Sequence, residues 1–252
     1  MRIDILTIFP KLFPPVLGES ILGRAQRAGV VSLGVWDLRV WSEDQKHRKV
    51  DDRPYGGGPG MVMRPEPFFK GVAALKRRGQ GRRSGHKTPD TGHRTPGVGR
   101  RRPRVILLSP QGERLTQKLA GRLAGESWLI LLCGHYEGVD ERVRAGLADQ
   151  VVSIGDYILT GGELPAMVLV DSIVRLLPGS LGDDRSAEEE SFVGGLLEYP
   201  QYTRPVEYRG MRVPSVLRSG DFSEIQKWRR LQAFRRTAAL RPDLDGPKNS
   251  GD

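Results

Sequence analysis

The chain has 252 residues, 38% of them hydrophobic, and a formal net charge of +10. That length sustains a full hydrophobic core and predicts one larger domain with a smaller appendage. A single cysteine excludes a disulfide framework, no stretch approaches the roughly 18 uninterrupted apolar residues of a membrane span, and Met1-Arg2-Ile3-Asp4 opens a strand rather than a signal peptide, so a cytoplasmic protein with no membrane partner is expected.

In chain order, strand signals fall at Ile3–Phe9 and Val30–Trp36, with a helical stretch over 11–28 between them. A loop follows at 50–61, where four glycines and two prolines surround the paired carboxylates Asp51 and Asp52. Such a loop orders around a ligand or forms a plain surface turn; Asp51 can accept hydrogen bonds from a base amino group, and Tyr55 can stack on a base or anchor the loop. A helix is expected over 66–78. Residues 76–104 then hold eleven Lys or Arg against one acid, Asp90, an excess equal to the net charge of the whole chain. This Gly-, Pro- and Arg-rich segment lacks hydrophobic periodicity, so residues 79–102 read as a basic disordered insertion, either a polyanion-attracting loop or a solubilising one. Its His86 and His93 have no Cys or carboxylate partners at ligand spacing, and no metal site is predicted.

Three more strands, Val105–Leu108, Leu129–Cys133 and Val151–Ile154, alternate with helices over 113–124, 139–147 and 162–177. The alternation predicts an α/β fold whose parallel sheet is covered on both faces. Cys133 closes the apolar run that starts at Trp128 and reads as a packing residue, because no basic neighbour is evident to activate it. Pro165 suits the first turn of its helix, and Pro178-Gly179 stops that helix. Residues 1–180 are therefore read as the first domain, 181–191 as an apolar-poor linker, and 192–252 as a second, mainly helical domain. In the latter, Ser223 is the expected N-cap of a helix reaching Leu240, with Ile225, Trp228 and Leu231 on one stripe. Lys227, Arg229 and Arg230 lie elsewhere on that helix, where RNA phosphates can lie along them.

Ligands in open α/β sheets sit beyond strand C-termini. Three loops should converge there: Leu108-Ser109-Pro110, Gly134 to Gly138, and Ile154 to Gly162. No Lys-Ser/Thr pair follows the glycines and no GxGxxG opens a helix, which argues against a triphosphate or a dinucleotide and favours an adenosyl group. The competing reading of residues 153–167 is a tight strand-to-helix turn.

The runs DDRPYGGGPGM, LSPQG, CGHYEGVDERV, SIGDYILTGGELPAM, EYPQYTRP, VPSVLRSG and IQKWRR, in this order, resemble the bacterial tRNA (guanine-N1-)-methyltransferase family, TrmD. The resemblance covers most of the chain. It implies a SPOUT-class enzyme that uses S-adenosylmethionine, with a trefoil-knotted parallel-sheet core, a homodimeric active site and a small helical C-terminal domain that grips tRNA. The target it implies is N1 of the guanine just 3′ of the anticodon. By motif, the cofactor lies against Leu108, Ser109, Pro110, Gly134, Tyr136, Glu137, Ser153, Ile154, Gly155, Asp156, Tyr157, Ile158 and Leu159, with Gly161, Gly162 and Pro165 closing the pocket. Asp51 and Gly60 fall at the substrate base. The family's arginine falls on Arg175, and its catalytic aspartate is replaced here by Glu190, one methylene longer. A SPOUT methyltransferase acting on another RNA and a non-catalytic RNA-binding relative are the alternatives.

Overall fold

The computed structural model describes residues 1–81, 102–181 and 191–244. The chain divides into two compact units, Met1–Gly182 and Asp183–Asp252. In the first, five parallel strands form one sheet in the order β2-β1-β6-β5-β7. These are β1 (Arg2–Thr7), β2 (Ser32–Asp37), β5 (Arg104–Arg114), β6 (Trp128–Cys133) and β7 (Gln150–Ser153). A two-stranded ribbon, β3 (Asp51–Asp52) with β4 (Val62–Met63), pairs antiparallel and closes the glycine-rich loop.

All six residues of β6 are buried, as an uninterrupted apolar run requires of a strand covered on both faces. On one face, Ile3, Ile5, Leu129 and Leu131 pack with Leu22 and Ala25 of α2 (Ser20–Arg27), Leu119 and Leu123 of α4 (Gln117–Ala124), and the inner side of α6 (Glu163–Val174). On the other, Leu6, Ile130 and Leu132 meet Phe68, Val72 and Leu75 of α3 (Pro65–Gly81) and Val143 of α5 (Glu141–Gly146). Cys133 is wholly buried, and burial, with the nearby Glu163 carboxylate adding to it, pushes its thiol well above the ordinary range.

The structure departs from expectation at several boundaries. The stretch 11–28 is not one helix: a 3-10 turn at Pro10–Leu12 and the short α1 (Pro14–Leu17) precede α2, and Ser20 takes a positive φ of 49° between them. Prolines at 10, 14 and 15 withhold the N–H groups a continuous helix needs. The helix expected from 113 starts at Gln117, because β5 loops out after Leu108 and rejoins β7 at Glu113 and Arg114. Thr116 caps α4 instead, its hydroxyl accepting from the Leu119 N–H. Helix α3 runs three residues into the expected insertion, and Arg102 at its far end pairs with Asp149 at 3.1 Å; residues 82–101 lie outside the described residues.

The second unit holds a hairpin, β8 (Glu207–Tyr208) with β9 (Met211–Arg212), and one long helix, α7 (Phe222–Leu240). Its N-cap is Asp221 rather than Ser223, the carboxylate accepting from the N–H groups of Ser223 and Glu224 at 2.9 and 3.1 Å. The inward stripe of α7 passes through Ile225, Arg229, Ala233 and Thr237, leaving Leu231 exposed. Of the expected stripe, Ile225 and Trp228 are half-buried and Leu231 is not, while the Thr237 hydroxyl accepts the Leu197 N–H at 2.8 Å.

A buried carboxylate ties β1 to both of its neighbouring strands. Asp4 on β1 accepts from the indole N–H groups of Trp36 and Trp128 at 2.8 and 2.7 Å and from Arg2 Nε at 2.7 Å. Asp4→Ala orphans these donors, and we expect it to cost about 3–5 kcal/mol of stability. Urea denaturation followed by tryptophan fluorescence measures this; a loss below about 1 kcal/mol, the range of an exposed pair, would contradict the clamp.

Candidate functional site

Strands β6, β5 and β7 lie side by side, so their C-terminal ends open onto one place. The three loops that leave them meet there and enclose a cavity of about 320 Å³. That volume falls within the range of small-molecule sites. Closure depends on the start of α6: the Gly162 N–H donates to the Gly134 carbonyl at 2.7 Å. A Cβ on Gly162 would lie 2.8 Å from Cys133 Cα and 3.0 Å from the Gly134 nitrogen, so only a glycine admits this approach.

Of the residues expected against the cofactor, Leu108, Ser109, Pro110, Gly134, Tyr136, Glu137, Ser153, Ile154, Gly155, Tyr157, Ile158, Leu159, Gly161, Gly162 and Pro165 all line this cavity. Asp156 does not. Its carboxylate is 87% exposed and lies 3.8 Å from Arg114. Leu107, His135, Gly138, Val139, Val152 and Thr160 also line the space; His135, Gly138 and Thr160 fall inside the loops expected to converge there, whereas Leu107, Val139 and Val152 lie just outside them. Leu107 and Val152 are strand positions adjoining the predicted loops, and His135 stands inside a quoted motif, so adjacency was the available signal.

Among the described residues, the lining includes no Lys or Arg, and Glu137 is its one carboxylate. A polyphosphate would meet no cation among these described residues, whereas apolar walls, backbone polar groups and a carboxylate suit an adenosyl group joined to a cationic centre. The Ser153 hydroxyl donates to the Gly155 carbonyl at 3.1 Å and accepts the Gly155 N–H at 3.2 Å, which sets the first turn of the loop after β7.

The glycine-rich loop comes to the same place. Met63 N–H donates to the Gly138 carbonyl at 2.9 Å, and Glu137 N–H to the Met61 carbonyl at 3.1 Å. A Cβ on Gly60 would fall 2.3 Å from Glu137 Oε1, so that glycine lies directly against a cavity residue. Asp51, half-buried, pairs with Met63 in the ribbon at the base of this loop, and Tyr55 is fully exposed at its tip. A second concavity of about 290 Å³ lies under the loop; four of its charges pair, Arg142 with Asp140 and Arg64 with Glu66, and Asp52 and Arg53 line it as well.

Arg175 is half-buried at the C-terminal end of α6, where a cation is favoured by the helix dipole. Glu190 lies outside the described residues. In the second unit Lys227 is exposed and bonded to Glu224 at 2.8 Å, Arg230 is exposed, and the Arg229 guanidinium stacks 4.7 Å over the Tyr199 ring. Arg229 thus spends its planar face on packing within the unit. Among the described residues, no group of three or more His, Cys, Asp or Glu is placed to hold a metal ion.

Gly162→Ala should force the loop away from β6 and cost about 1–3 kcal/mol, read as a lower thermal midpoint. Gly121→Ala, where an added Cβ meets nothing within 4 Å on helix α4, should raise the midpoint instead. An unchanged midpoint for Gly162→Ala would contradict the close approach.

Comparison with known proteins places this geometry in a family. The family described as tRNA (Guanine-1)-methyltransferase TrmD matches residues 1–246. The tRNA (guanine-N(1)-)-methyltransferase of Geobacillus kaustophilus is 54% identical over 244 residues, covering 97% of this chain and 91% of that protein. The enzymes of the same name from Moorella thermoacetica and Heliobacterium modesticaldum are 52% and 51% identical, each over 97% of this chain and over 90% and 84% of their own lengths. With a match across nearly the whole chain and half of its residues shared, the protein belongs to the tRNA (guanine-1)-methyltransferase family, TrmD.

Proposed function

We propose that this chain transfers a methyl group from S-adenosylmethionine to N1 of a guanine in tRNA, the one just 3′ of the anticodon. The observation that carries the reading is the cavity at the ends of β5, β6 and β7, lined by fifteen of the sixteen residues that the motifs assign to the cofactor. When bound, S-adenosylmethionine supplies an electrophilic methyl on a sulfonium. The exposed Glu137 carboxylate favours that positive charge, and Leu108, Val152, Ile154 and Leu159 supply apolar walls for the adenosyl group.

Guanine N1 carries a proton near neutral pH, so its lone pair becomes available only as a base removes that proton. Glu190 is the proposed base, worth roughly 10²–10⁴-fold. Negative charge then develops on O6, where the Arg175 guanidinium stabilises the transition state more than the ground state. Asp51 and the backbone at Gly60, beside Glu137, are proposed to hold the base, and Lys227, Arg229 and Arg230 to meet tRNA phosphates.

A homodimer is part of the proposal. Helix α6 is apolar nearly all round, yet Leu164 and Val168, one turn apart, are 56% and 44% exposed, and Ile158 before it is 80% exposed. Such a face suits burial against a second copy. The return of the chain from β7, across the end of β5, to Gly134 after β6 supports a trefoil-knotted path. No described helix is long and apolar enough to cross a membrane, and the cytoplasm, where tRNA is modified, is the proposed location.

Mass spectrometry of nucleosides from tRNA incubated with the protein and S-adenosylmethionine should find 1-methylguanosine; methylation of another atom or none would contradict the reading. Glu190→Gln and Arg175→Ala should each lower kcat by about 10²-fold or more while S-adenosylmethionine affinity holds. Unchanged turnover in Glu190→Gln would place the base elsewhere. In sedimentation, Val168→Glu should release monomers from a dimeric parent.

A further inference from the structure

Beneath the cavity lies a closed ring of contacts that none of the roles above uses. At the end of β1, the Thr7 hydroxyl donates to Glu163 Oε1 at 2.7 Å. The Phe9 N–H donates to Thr7 Oγ1 at 2.9 Å. The Phe9 ring then meets His135 edge-on with centroids 4.9 Å apart, and His135 Nδ1 lies 3.6 Å from Glu163 Oε2, which closes the circuit. Three segments are thereby joined: the end of β1, the loop after β6 that lines the cavity, and the first residue of α6.

Glu163 is 4% exposed, a burial that a carboxylate tolerates when helix N–H groups and hydrogen-bond donors face it. Gly161 lets the two side chains approach, since a Cβ there would fall 2.3 Å from both Glu163 Oε2 and His135 Nδ1. The gap between those atoms exceeds a hydrogen bond, and His135 Nδ1 is buried without a hydrogen-bond partner among the described residues. A buried nitrogen in that state is unfavourable, so a small movement that lets Nδ1–H donate to the carboxylate is stabilising. The other side of His135 faces functional ground. It lines the cavity, and its ring packs edge-on against Tyr136 with centroids 5.1 Å apart. Tyr136 holds a left-handed φ of 58°, which a tyrosine keeps only where its surroundings over-determine it.

We propose that His135 and Glu163 are positioning residues for the cofactor, which rests on reading the cavity as the S-adenosylmethionine site. Cofactor binding draws the 134–138 loop inward, His135 Nδ1–H closes onto Glu163 Oε2, and the closed pair holds Tyr136 at the rim. Thr7 keeps the carboxylate aimed by occupying its other oxygen.

The test compares S-adenosylmethionine binding by calorimetry and methyl transfer to tRNA in the full chain and four variants. His135→Phe keeps a ring against Phe9 and Tyr136 but removes the donor, and Glu163→Gln keeps the Thr7 bond but turns an amide toward His135. Each should raise Kd and KM for S-adenosylmethionine roughly 3- to 30-fold, with kcat at saturation within about twofold. The double variant should bind no more weakly than the weaker single one, because both act on one contact. His135→Asn places an amide N–H near the position of Nδ1 and should restore affinity. Unchanged affinity in His135→Phe, or His135→Asn as weak as His135→Phe, would overturn the inference; should Glu163→Gln not fold, the two His135 variants decide it alone. Failure of the unaltered protein to bind S-adenosylmethionine would instead remove the cofactor reading, and this inference with it.

Discussion

A single backbone contact, the Gly162 N–H on the Gly134 carbonyl at 2.7 Å, sets the start of α6 against the end of β6. Everything at the cavity follows from it. The loop that leaves β7 must travel past the end of β5 to make this bond, so the three strand ends share one enclosed space instead of three open turns. The glycine pair at 161 and 162 is what admits the approach, because a methyl group at either position would overlap backbone or the His135 and Glu163 side chains. A tight strand-to-helix turn and a ligand loop are therefore not alternatives here: the tight turn builds the pocket.

Charge is divided between regions with different tasks. Among the described residues, the cavity has no cation in its lining, carries Glu137, and lies next to the buried Glu163. The positive excess of the chain lies instead in residues 76–104, and further cations mark the exposed side of α7. The sulfonium-bearing cofactor proposed here and a polyanionic tRNA demand opposite electrostatics, and a chain that binds both has to keep them apart.

The strongest periodic elements were legible in the sequence. The apolar run of β6 was placed within one residue, and the apolar α6 within one residue at its start and three at its end, because burial on both faces leaves an unbroken hydrophobic signature. The cavity-lining positions followed once strand ends were located. Local competition was harder to read: Asp221 took the cap expected of Ser223, and prolines together with the turn at Gly18–Ser20 broke the stretch 11–28 into three pieces. The ring of Thr7, Phe9, His135 and Glu163 had no sequence signature, since its members are up to 156 positions apart and meet only through the sheet order. The same holds for Gly60 against Glu137, a contact between loops that periodicity cannot report.

Hydrogen–deuterium exchange with and without S-adenosylmethionine tests the central claim most directly, because it reads the three loops separately in the intact protein. The account predicts that the cofactor slows exchange together in residues 108–112, 134–139 and 153–162, the segments that enclose the cavity. Protection confined to one of them, or arising elsewhere while all three stay unchanged, would contradict it.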